Sequence, residues 1–435
     1  MALPYRLPAR WGGESDRRPI NRGGFKVTVF DRLGLNVQPL INAAGHVTMY
    51  GGATMPPEVL EAMAEASRLT VRVDELQAEA SKVIARLTGA EAGYVTCGCS
   101  ASLTLATAAC LTGFDVDRIE RLPDTTGMPN EVIIASNQRN AYDHAIRAAG
   151  AKIVNAGMPS GPRYPGTYTT IAEDFEAAVN ERTVAIAYFY HGGGIPPLED
   201  VIAVAKAHRL PVIVDAADQV PPVENLWKFT AMGADLVCIS GGKGIRGPQQ
   251  SGLLIGRHDL IACAALNHFT PGFGGGYVSY DRWQPPASLI PKERLRAVPR
   301  HPIGRGLKVS KEAIVGLLTA LAILTDEERL AAQMRRFEHY VRIITESLQG
   351  MPGVAAEAVR GVEGGVPSIR VSIDEQKAGV SAAAVVQRLR EGSPRVFVFE
   401  AQVGQGVITM DPSNLDEEKA RALAERLRAA VIGNS

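Results

Sequence analysis

Short runs of β-branched and other apolar residues alternate with stretches of helical spacing between residues 90 and 260. A run such as VIVDAA (212–217) is apolar without alternation, which is typical of a strand covered on both faces. Strands are predicted at YVT (94–96), VIIAS (132–136), VAIAYFYH (184–191), PVIVDAA (211–217), LVCIS (236–240) and SGLLIG (251–256), with helices at 100–111, 142–149 and 198–208. This order predicts βαβ units in an α/β fold with a mostly parallel sheet.

The last two predicted strands are separated only by residues 241–250, which contain no helical stretch. A crossover between parallel strands needs about a dozen residues or more. The final pair of strands is therefore predicted to be antiparallel.

The rest of the chain predicts further parts around this sheet. Residues 268–306 are rich in Gly, Pro and aromatic residues, and a loop of that length is typical of a lid, an interface segment or disorder. A long helical stretch (310–350) follows, and then SIRVSI, an amphipathic helix near 381–391, VFVFEA, GVITM and a charged final helix predict a small α+β domain. We predict an N-terminal arm (1–55), a large cofactor-binding domain (56–310) that includes the 268–306 loop, and a linking helix with a small C-terminal domain (311–435).

Composition excludes some classes of function. Lys plus Arg and Asp plus Glu both number 46, so no basic excess favours a nucleic-acid partner. No apolar run approaches the roughly eighteen residues of a membrane helix. Five cysteines are an odd number for a disulfide framework and favour a reduced, cytoplasmic compartment. Cys97 and Cys99 form a CxC pair, but no second cluster completes a metal site, and none is predicted.

The segment SGGKG (240–244) places one lysine, Lys243, at the end of a predicted strand. A lysine there either binds phosphate or forms a Schiff base. The phosphate-loop template fails, because position 237 is Val and Gly244 stands where Ser or Thr is needed. Asp215 closes the VIVD run 28 residues upstream (243 − 215), also at a strand end. This pair favours pyridoxal phosphate, which needs a Schiff-base lysine and a carboxylate on its pyridine nitrogen.

Pyridoxal phosphate also needs a phosphate site, which TCGCSAS (96–102) is suited to form. Small residues open a helix there, so backbone N–H groups and the helix dipole would hold a dianion. Cys99, Ser100, Ser102 and Ser240 would add side-chain donors. Taken singly, Asp215 and this turn have the plain alternative of helix caps, and Lys243 that of a solvated loop residue. Their common order along the chain, all at strand ends, favours the cofactor.

The motif HGGG (191–194) is typical of esterase oxyanion holes, but no G-x-S-x-G occurs, which excludes that class. His191 therefore lies either in a flexible strand-end loop or beside the cofactor and substrate.

Several ordered segments together resemble one family. They are 40–63, 73–109, 138–152, LPVIVDAADQVPP (210–222), SGGKGIRGPQQSGLLIGR (240–257) and IGRGLKVSKEAIVGLLTAL (303–321). From about residue 40 to 324 the chain resembles the fold-type I pyridoxal-phosphate enzymes of the selenocysteine synthase branch, whose short relatives include the D-glucosaminate-6-phosphate ammonia-lyases. A lysine followed by a GPQ-type turn is the most specific of these motifs.

The resemblance implies roles for individual residues. Lys243 would form the Schiff base, and Asp215 would contact the pyridine nitrogen. The other implied cofactor contacts are Ala217 against one ring face, Gly98, Cys99 and Ser100 at the phosphate, Arg139 and Asn140 over the other ring face with His144 behind them, and Ser240 and Gln219 nearby. Asn42 and His46 would lie near the substrate. The IGRGLKVSKE segment would come from a neighbouring subunit of a homodimer or larger homo-oligomer.

The chain departs from the family pattern in two respects, one that bears on the function and one that bears on phosphate binding. Only a short arm precedes the family core, where the tRNA-dependent members carry a tRNA-binding domain. The neutral charge agrees with the absence of a tRNA partner. Cys99 stands where relatives more often have Ala or Ser, which leaves its backbone N–H as the phosphate donor.

The reaction predicted is α,β-elimination and deamination of a small hydroxylated amino acid or amino-sugar acid, giving a 2-oxo acid and ammonia. Lys243 would be the base, and His46 or His144 would protonate the leaving hydroxyl. Arg305 and Arg370 are candidates for binding the substrate carboxylate. Aldol cleavage and racemisation pass through a similar carbanion and stay open, as does a catalytically inactive binding protein, although the presence of both Lys243 and Asp215 disfavours the last.

Overall fold

The structure is a computed structural model, in which residues 28–158, 169–190, 195–269, 278–360 and 364–433 are described. His191 with the rest of HGGG, about half of the predicted arm (residues 1–27) and part of the 268–306 loop lie outside these ranges. The strands are β1 (Leu40–Ala43), β2 (Ala92–Thr96), β3 (Glu131–Ala135), β4 (Lys152–Ala156), β5 (Thr183–Phe189), β6 (Val212–Asp215), β7 (Leu236–Ser240), β8 (Gly252–Gly256), β9 (Val354–Val359), β10 (Ser368–Ile373), β11 (Arg395–Val398) and β12 (Val407–Met410).

The helices alternate with the strands of the first part and frame the second. They are α1 (Val29–Arg32), α2 (Pro57–Ser67), α3 (Val73–Thr88), α4 (Cys99–Thr112), α5 (Val116–Arg121), α6 (Asp143–Ala148), α7 (Ala172–Ala178), α8 (Leu198–Ala207), α9 (Asn225–Met232), α10 (His258–Leu266), α11 (Lys311–Leu324), α12 (Glu327–Ser347), α13 (Glu375–Ala378), α14 (Ala382–Glu391) and α15 (Glu417–Ile432).

A seven-stranded sheet forms the centre of the large part, in the order β2-β8-β7-β6-β5-β3-β4. The pairs β3/β4, β3/β5, β5/β6 and β6/β7 are parallel. Strand β8 is antiparallel to both β7 and β2. The predicted α/β class and the antiparallel final pair are both confirmed. The sequence pattern missed β4, an edge strand whose residues Lys152 to Asn155 are all at least partly exposed.

Two apolar cores cover the two faces of this sheet, which explains why its strands do not alternate. Along β6, Ile213 packs into one core, while Val212 and Val214 pack into the other. Helices α4 and α10 supply the first core, and α8 and α11 contribute to the second. Strands buried on both faces need apolar residues at successive positions.

The predicted helical stretch 310–350 is divided into α11 and α12. Ser310 caps the first helix by accepting from the Ala313 N–H, and Asp326 caps the second by accepting from the Arg329 N–H. The side chain of Asp326 competes for backbone donors and so starts a new helix rather than continuing the old one.

The C-terminal part has its own core and its own sheet. Strands β12, β10 and β9 pair antiparallel, and α12, α14 and α15 pack on them. Strand β1, which lies in the range predicted as an arm, pairs in parallel with β11. The first described strand therefore packs against the C-terminal region, ahead of the segments that form the large sheet.

Candidate active site

Asp215 and Lys243 lie at the same edge of the sheet, because β6 and β7 both end there. The two strands are parallel, with Asp215 opposite Cys238. The Ser240 N–H donates to the Ala217 carbonyl at 3.2 Å, which extends the pairing past the strand ends. Ligand sites in open α/β sheets lie at such carboxyl ends.

The glycines around Lys243 are explained by what lies against them. A side chain at Gly242 would overlap the backbone of Gln249, and one at Gly244 would overlap the carbonyl oxygen of Val220. The lysine turn therefore packs directly against the loop that follows β6. This close approach brings the two strand-end loops into one site.

Asp218 joins this site, and sequence reasoning missed it. One carboxylate oxygen, Oδ2, lies 3.7 Å from Lys243 Nζ, and the other, Oδ1, lies 3.6 Å from His46 Nδ1. Partial burial opposes the charge of Asp218, but the hydrogen bond from His46 and the charge of Lys243 outweigh it and lower the pKa of its carboxyl group. The available signal was a second acidic residue three positions after Asp215, in the same strand-end loop.

Asp215 is almost enclosed, with 8% of its surface exposed. Its Oδ1 accepts from the Ala217 N–H at 2.9 Å and lies 3.7 Å from Cys99 Sγ. Burial, followed by the nearby charge of Asp215, raises the pKa of the Cys99 thiol well above its usual value. Cys99 is therefore a neutral thiol that links the start of α4 to the carboxylate.

The turn before α4 is suited to an anion. Gly98 has φ 135°, and a β-carbon there would meet nothing within 4 Å, so the space in front of the turn is open. Thr96 Oγ1 lies 2.9 Å from the Gly98 carbonyl oxygen and 2.8 Å from Ser102 Oγ, which fixes the turn from behind. Ser102 is fully buried and its hydroxyl is taken up by Thr96, so its contact with phosphate stays a prediction. The first N–H groups of α4, a fourteen-residue helix, remain for that purpose.

Comparison with known proteins gives the family. Residues 57–226 match the DegT/DnrJ/EryC1/StrS aminotransferase family. The chain is 30% identical over 409 residues to a D-glucosaminate-6-phosphate ammonia lyase of Salmonella typhimurium, with 92% of this chain and 97% of that enzyme covered. The chain belongs to the family of this enzyme.

Other relatives agree with this placement. A solved structure of D-glucosaminate-6-phosphate ammonia-lyase superposes with a TM-score of 0.73 at 27% identity, covering 94% of this chain and all of that one. A 5'-C-glycyluridine monooxygenase-decarboxylase from Streptomyces is 28% identical, with 94% of both chains covered. An L-seryl-tRNA(Sec) selenium transferase of Nitratidesulfovibrio vulgaris is 23% identical over 90% of this chain and 81% of its own. This chain is thus a fold-type I enzyme that uses pyridoxal phosphate.

The residues at the strand ends fit that cofactor. Asp215 is a nearly enclosed carboxylate at the end of β6, Lys243 follows the neighbouring strand β7, and the helix-opening turn at Gly98 faces open space on the same edge of the sheet. A carboxylate, an amine and an anion site are the three groups that pyridoxal phosphate requires of a protein.

The side chains predicted over the cofactor ring are held by local bonds. Arg139 Nε donates to Asp143 Oδ2 at 2.6 Å, and its Nη1 donates to Asn155 Oδ1 at 2.6 Å. Asn140 Oδ1 accepts from the Tyr142 N–H at 2.8 Å, which closes the turn before α6. His144 is exposed on α6. Their contacts with the cofactor stay a prediction.

Asn42 lies in β1 and His46 in the loop that follows it, and the two side chains have different roles. Asn42 is buried, donates to the Gly45 carbonyl oxygen at 2.9 Å and accepts from the Ala44 N–H at 3.0 Å, so its amide shapes the loop. His46 reaches Asp218 with Nδ1, while its Nε2 lies 3.3 Å from Ser413 Oγ. The backbone of Gln219 accepts from the Asn225 side chain, which tethers the far end of the loop after β6.

The two arginines predicted to bind the substrate carboxylate lie in different environments. Arg370, on the exposed face of β10, pairs with Glu357 of β9 at 3.2 Å. Its described ion pair is within the C-terminal sheet and not with a residue around Lys243. Arg305 is half-buried in the 3-10 turn Ile303–Gly306. Their roles toward substrate stay predictions.

Two kinds of feature are absent from the described ranges. None of the helices described is both long and apolar enough to span a bilayer. In the same ranges, no three His, Cys, Asp or Glu side chains come together in a way that would hold a metal ion.

Proposed function

We propose that the protein is a pyridoxal-phosphate-dependent lyase that removes ammonia from a hydroxylated amino acid of the amino-sugar-acid class and leaves a 2-oxo acid. One observation carries the proposal. Lys243 and Asp215 stand at adjoining strand ends in a chain that covers 97% of an enzyme named D-glucosaminate-6-phosphate ammonia lyase at 30% identity.

The chain's own residues divide the binding of the cofactor between them. Asp215 would hold a proton on the ring nitrogen, and the N–H groups at the start of α4, from Gly98 to Ser100, would hold the phosphate. Lys243 would form the covalent bond. The flanking positions that we assign are Ala217, Gln219, Ser240, Arg139 and Asn140. When bound, pyridoxal phosphate supplies an electron sink for negative charge at the substrate's α-carbon.

The acid and base chemistry is carried by the side chains next to that carbon. The Nζ of Lys243 would take the α-proton of the bound substrate. His46 gives a proton to the departing β-hydroxyl, which leaves as water. His46 is better placed than His144 for this, because it shares the Asp218 carboxylate with Lys243, whereas His144 is exposed on α6.

Substrate binding would use groups around this centre. Asn42 orients the loop that carries His46. We keep His191, which lies outside the described residues, as a further candidate for substrate binding. Arg305 and Arg370 both stay our candidates for binding the substrate carboxylate.

We also propose that the enzyme is a cytoplasmic homodimer or larger homo-oligomer, divided into the three parts given above, with no nucleic-acid partner. Exposed apolar side chains along the first described segment support a covering partner: Val29, Phe30, Leu33, Leu35 and Val37. Light scattering of the purified protein tests this, and a monomer at micromolar concentration would contradict it.

The Streptomyces relative supports a second candidate. Its name describes an oxidative decarboxylation, and it is 28% identical over 94% of both chains. Loss of carbon dioxide with consumption of oxygen would start from the same electron sink but would break a different bond. The two candidates therefore differ in their products and not in their cofactor.

The deciding experiment measures ammonia and 2-oxo acid released by the holoenzyme. The panel contains D- and L-hydroxy amino acids and 2-amino sugar acids, each with and without a phosphate group. Equimolar ammonia and 2-oxo acid from one of them, without oxygen uptake, is the expected result.

Two other outcomes would overturn the assignment. Oxygen uptake with carbon dioxide release would favour the second candidate. A product that retains its nitrogen would indicate aldol cleavage or racemisation. Lys243→Ala is the control that separates enzymatic release from spontaneous breakdown of the substrates.

A further inference from the structure

The His46–Asp218–Lys243 cluster goes beyond the binding of the cofactor, because it joins the expected base and the expected acid through a third side chain. Each member comes from a different segment: the loop after β1, the loop after β6 and the turn after β7. One carboxylate oxygen faces each basic group, at 3.6 Å to His46 and 3.7 Å to Lys243. The carboxylate of Asp218 therefore spans the gap between them.

The backbone that carries Asp218 is held in place. Gly244 packs against the Val220 carbonyl oxygen, and the Ala216 N–H donates to the Cys238 carbonyl at 2.9 Å. The Asp218 side chain itself is 57% exposed, so it is open to the space above the sheet edge. A rigid backbone with an accessible carboxylate is suited to orienting partners rather than to filling a core.

The loop that carries His46 is held from the opposite side by the C-terminal segment. Asn414 Oδ1 accepts from the Thr54 N–H at 2.7 Å, and Asn414 Nδ2 donates to the Gly45 carbonyl at 3.0 Å. Ser413 Oγ lies 3.3 Å from His46 Nε2. The imidazole is thus fixed between Ser413 and Asp218. In contrast, Lys243 has a long, flexible stem, so its amine gains most from an oriented partner.

A plain structural reading would make Asp218 a loop ion pair of little energetic value, as exposed pairs usually are. Such a pair needs one cation. Asp218 meets two basic side chains from separate segments, and one of them is the lysine expected to bond to the cofactor. The arrangement is therefore more specific than a loop tether requires.

We propose that Asp218 is a positioning residue that couples the Lys243 amine to the His46 imidazole and keeps base and acid at a fixed spacing. Asp218 stays a carboxylate throughout. The α-proton goes to Lys243 Nζ, and the proton for the leaving hydroxyl comes from His46. Lys243 and His46 each carry a positive charge when protonated. The carboxylate of Asp218 offsets that charge and holds each side chain in its position. The identity of Lys243 as the cofactor lysine is assumed here; the identity of the substrate is not.

The first test needs no substrate. The visible absorbance of the bound cofactor is titrated with pH in the unmodified holoenzyme and in Asp218→Asn, Asp218→Glu and Asp200→Asn, the last being an exposed carboxylate on α8. The charges that act on Asp218 include those of His46 and Lys243, and Cys99 is acted on by both Asp215 and Lys243. These partner groups are unchanged in all four proteins.

Removing the Asp218 charge is expected to move the absorbance midpoint to lower pH by about one unit, because an opposite charge within about 4 Å favours the protonated nitrogen. Asp218→Glu should restore most of that shift, and Asp200→Asn should leave the midpoint in place. A midpoint unchanged in Asp218→Asn, in protein that holds its full cofactor, would overturn the proposal.

The second test is a double-mutant cycle with the substrate identified by the ammonia panel. Asp218→Asn is expected to lower kcat about 10- to 100-fold with little change in KM, and adding His46→Asn should lower it no further than the worse single change. Effects that multiply would show independent roles and refute the coupling. If no panel compound reacts, the lyase assignment fails, whereas the absorbance test still decides the role of Asp218.

Discussion

The two halves of the site are built in different ways. The sheet half, Asp215 and Lys243, follows from the pairing of β6 with β7 and needs only 28 residues of chain. The loop half, His46 with Asp218, depends on contacts such as His46–Ser413 and Thr54–Asn414, which join residues 367 and 360 positions apart. Chemistry set by strand register is visible in a sequence, but chemistry set by distant loop contacts is not.

The sheet half should tolerate change least at Lys243. Lys243→Ala removes both the covalent anchor of the cofactor and the expected base, so kcat should fall by at least about 10⁴-fold. Steady-state kinetics with the substrate found above, alongside the visible absorbance of the protein, checks this. Activity within tenfold of the unmodified enzyme would contradict the assignment of Lys243 as anchor and base, and with it the description of the sheet half.

Asp215→Asn should have the next largest effect. It removes the carboxylate that holds a proton on the cofactor ring and leaves the side-chain volume unchanged, so kcat should fall on the order of 10²- to 10³-fold, in the range seen when one oriented electrostatic contact is lost. Kinetics at saturating cofactor separates this from weaker cofactor binding. An Asn variant as active as the native protein would mean that another group protonates the ring.

The contact between the two halves is tested at Gly244. Gly244→Ala would force a methyl group into the Val220 carbonyl oxygen, so unfolding should become easier by about 1–3 kcal/mol and the Lys243 turn should shift. Thermal unfolding and the cofactor absorbance band report these two effects. Gly404→Ala is the matched control, because a β-carbon there meets nothing within 4 Å, and its melting temperature should stay near the native value.

The smallest predicted effect concerns acid stability in the loop half. Interactions in the folded protein lower the pKa of Asp218, so they stabilise the fold above its unfolded value of about 4 and are lost as pH falls through the folded value. The difference in melting temperature between native protein and Asp218→Asn should therefore be present at pH 6 and shrink below pH 4. A difference in melting temperature that grows below pH 4 would contradict a lowered pKa of Asp218 in the folded protein.

Sequence reasoning succeeded where local pattern determines structure. Apolar runs identified the strands that pack on both faces, and their ends identified Asp215 and Lys243. It missed β4, because an edge strand with partly exposed residues lacks that pattern, and it did not place the helix break at Asp326. Asp218 lies only three positions after Asp215 in the sequence. Its role depends on His46, whose loop is brought to Asp218 by the pairing of β1 with β11.

That pairing also bears on when the site can be completed during synthesis. The loop that carries His46 leaves the ribosome long before the residues that fix it, Ser413 and Asn414, which follow their partners by 367 and 369 positions. The large sheet can form with Asp215 and Lys243 in place while the C-terminal part is still missing, because domains fold as units during translation. A chain cut short before residue 411 would then carry a lysine and a carboxylate at the sheet edge but no positioned histidine. The active site is thus finished only after residues 413 and 414 have been translated.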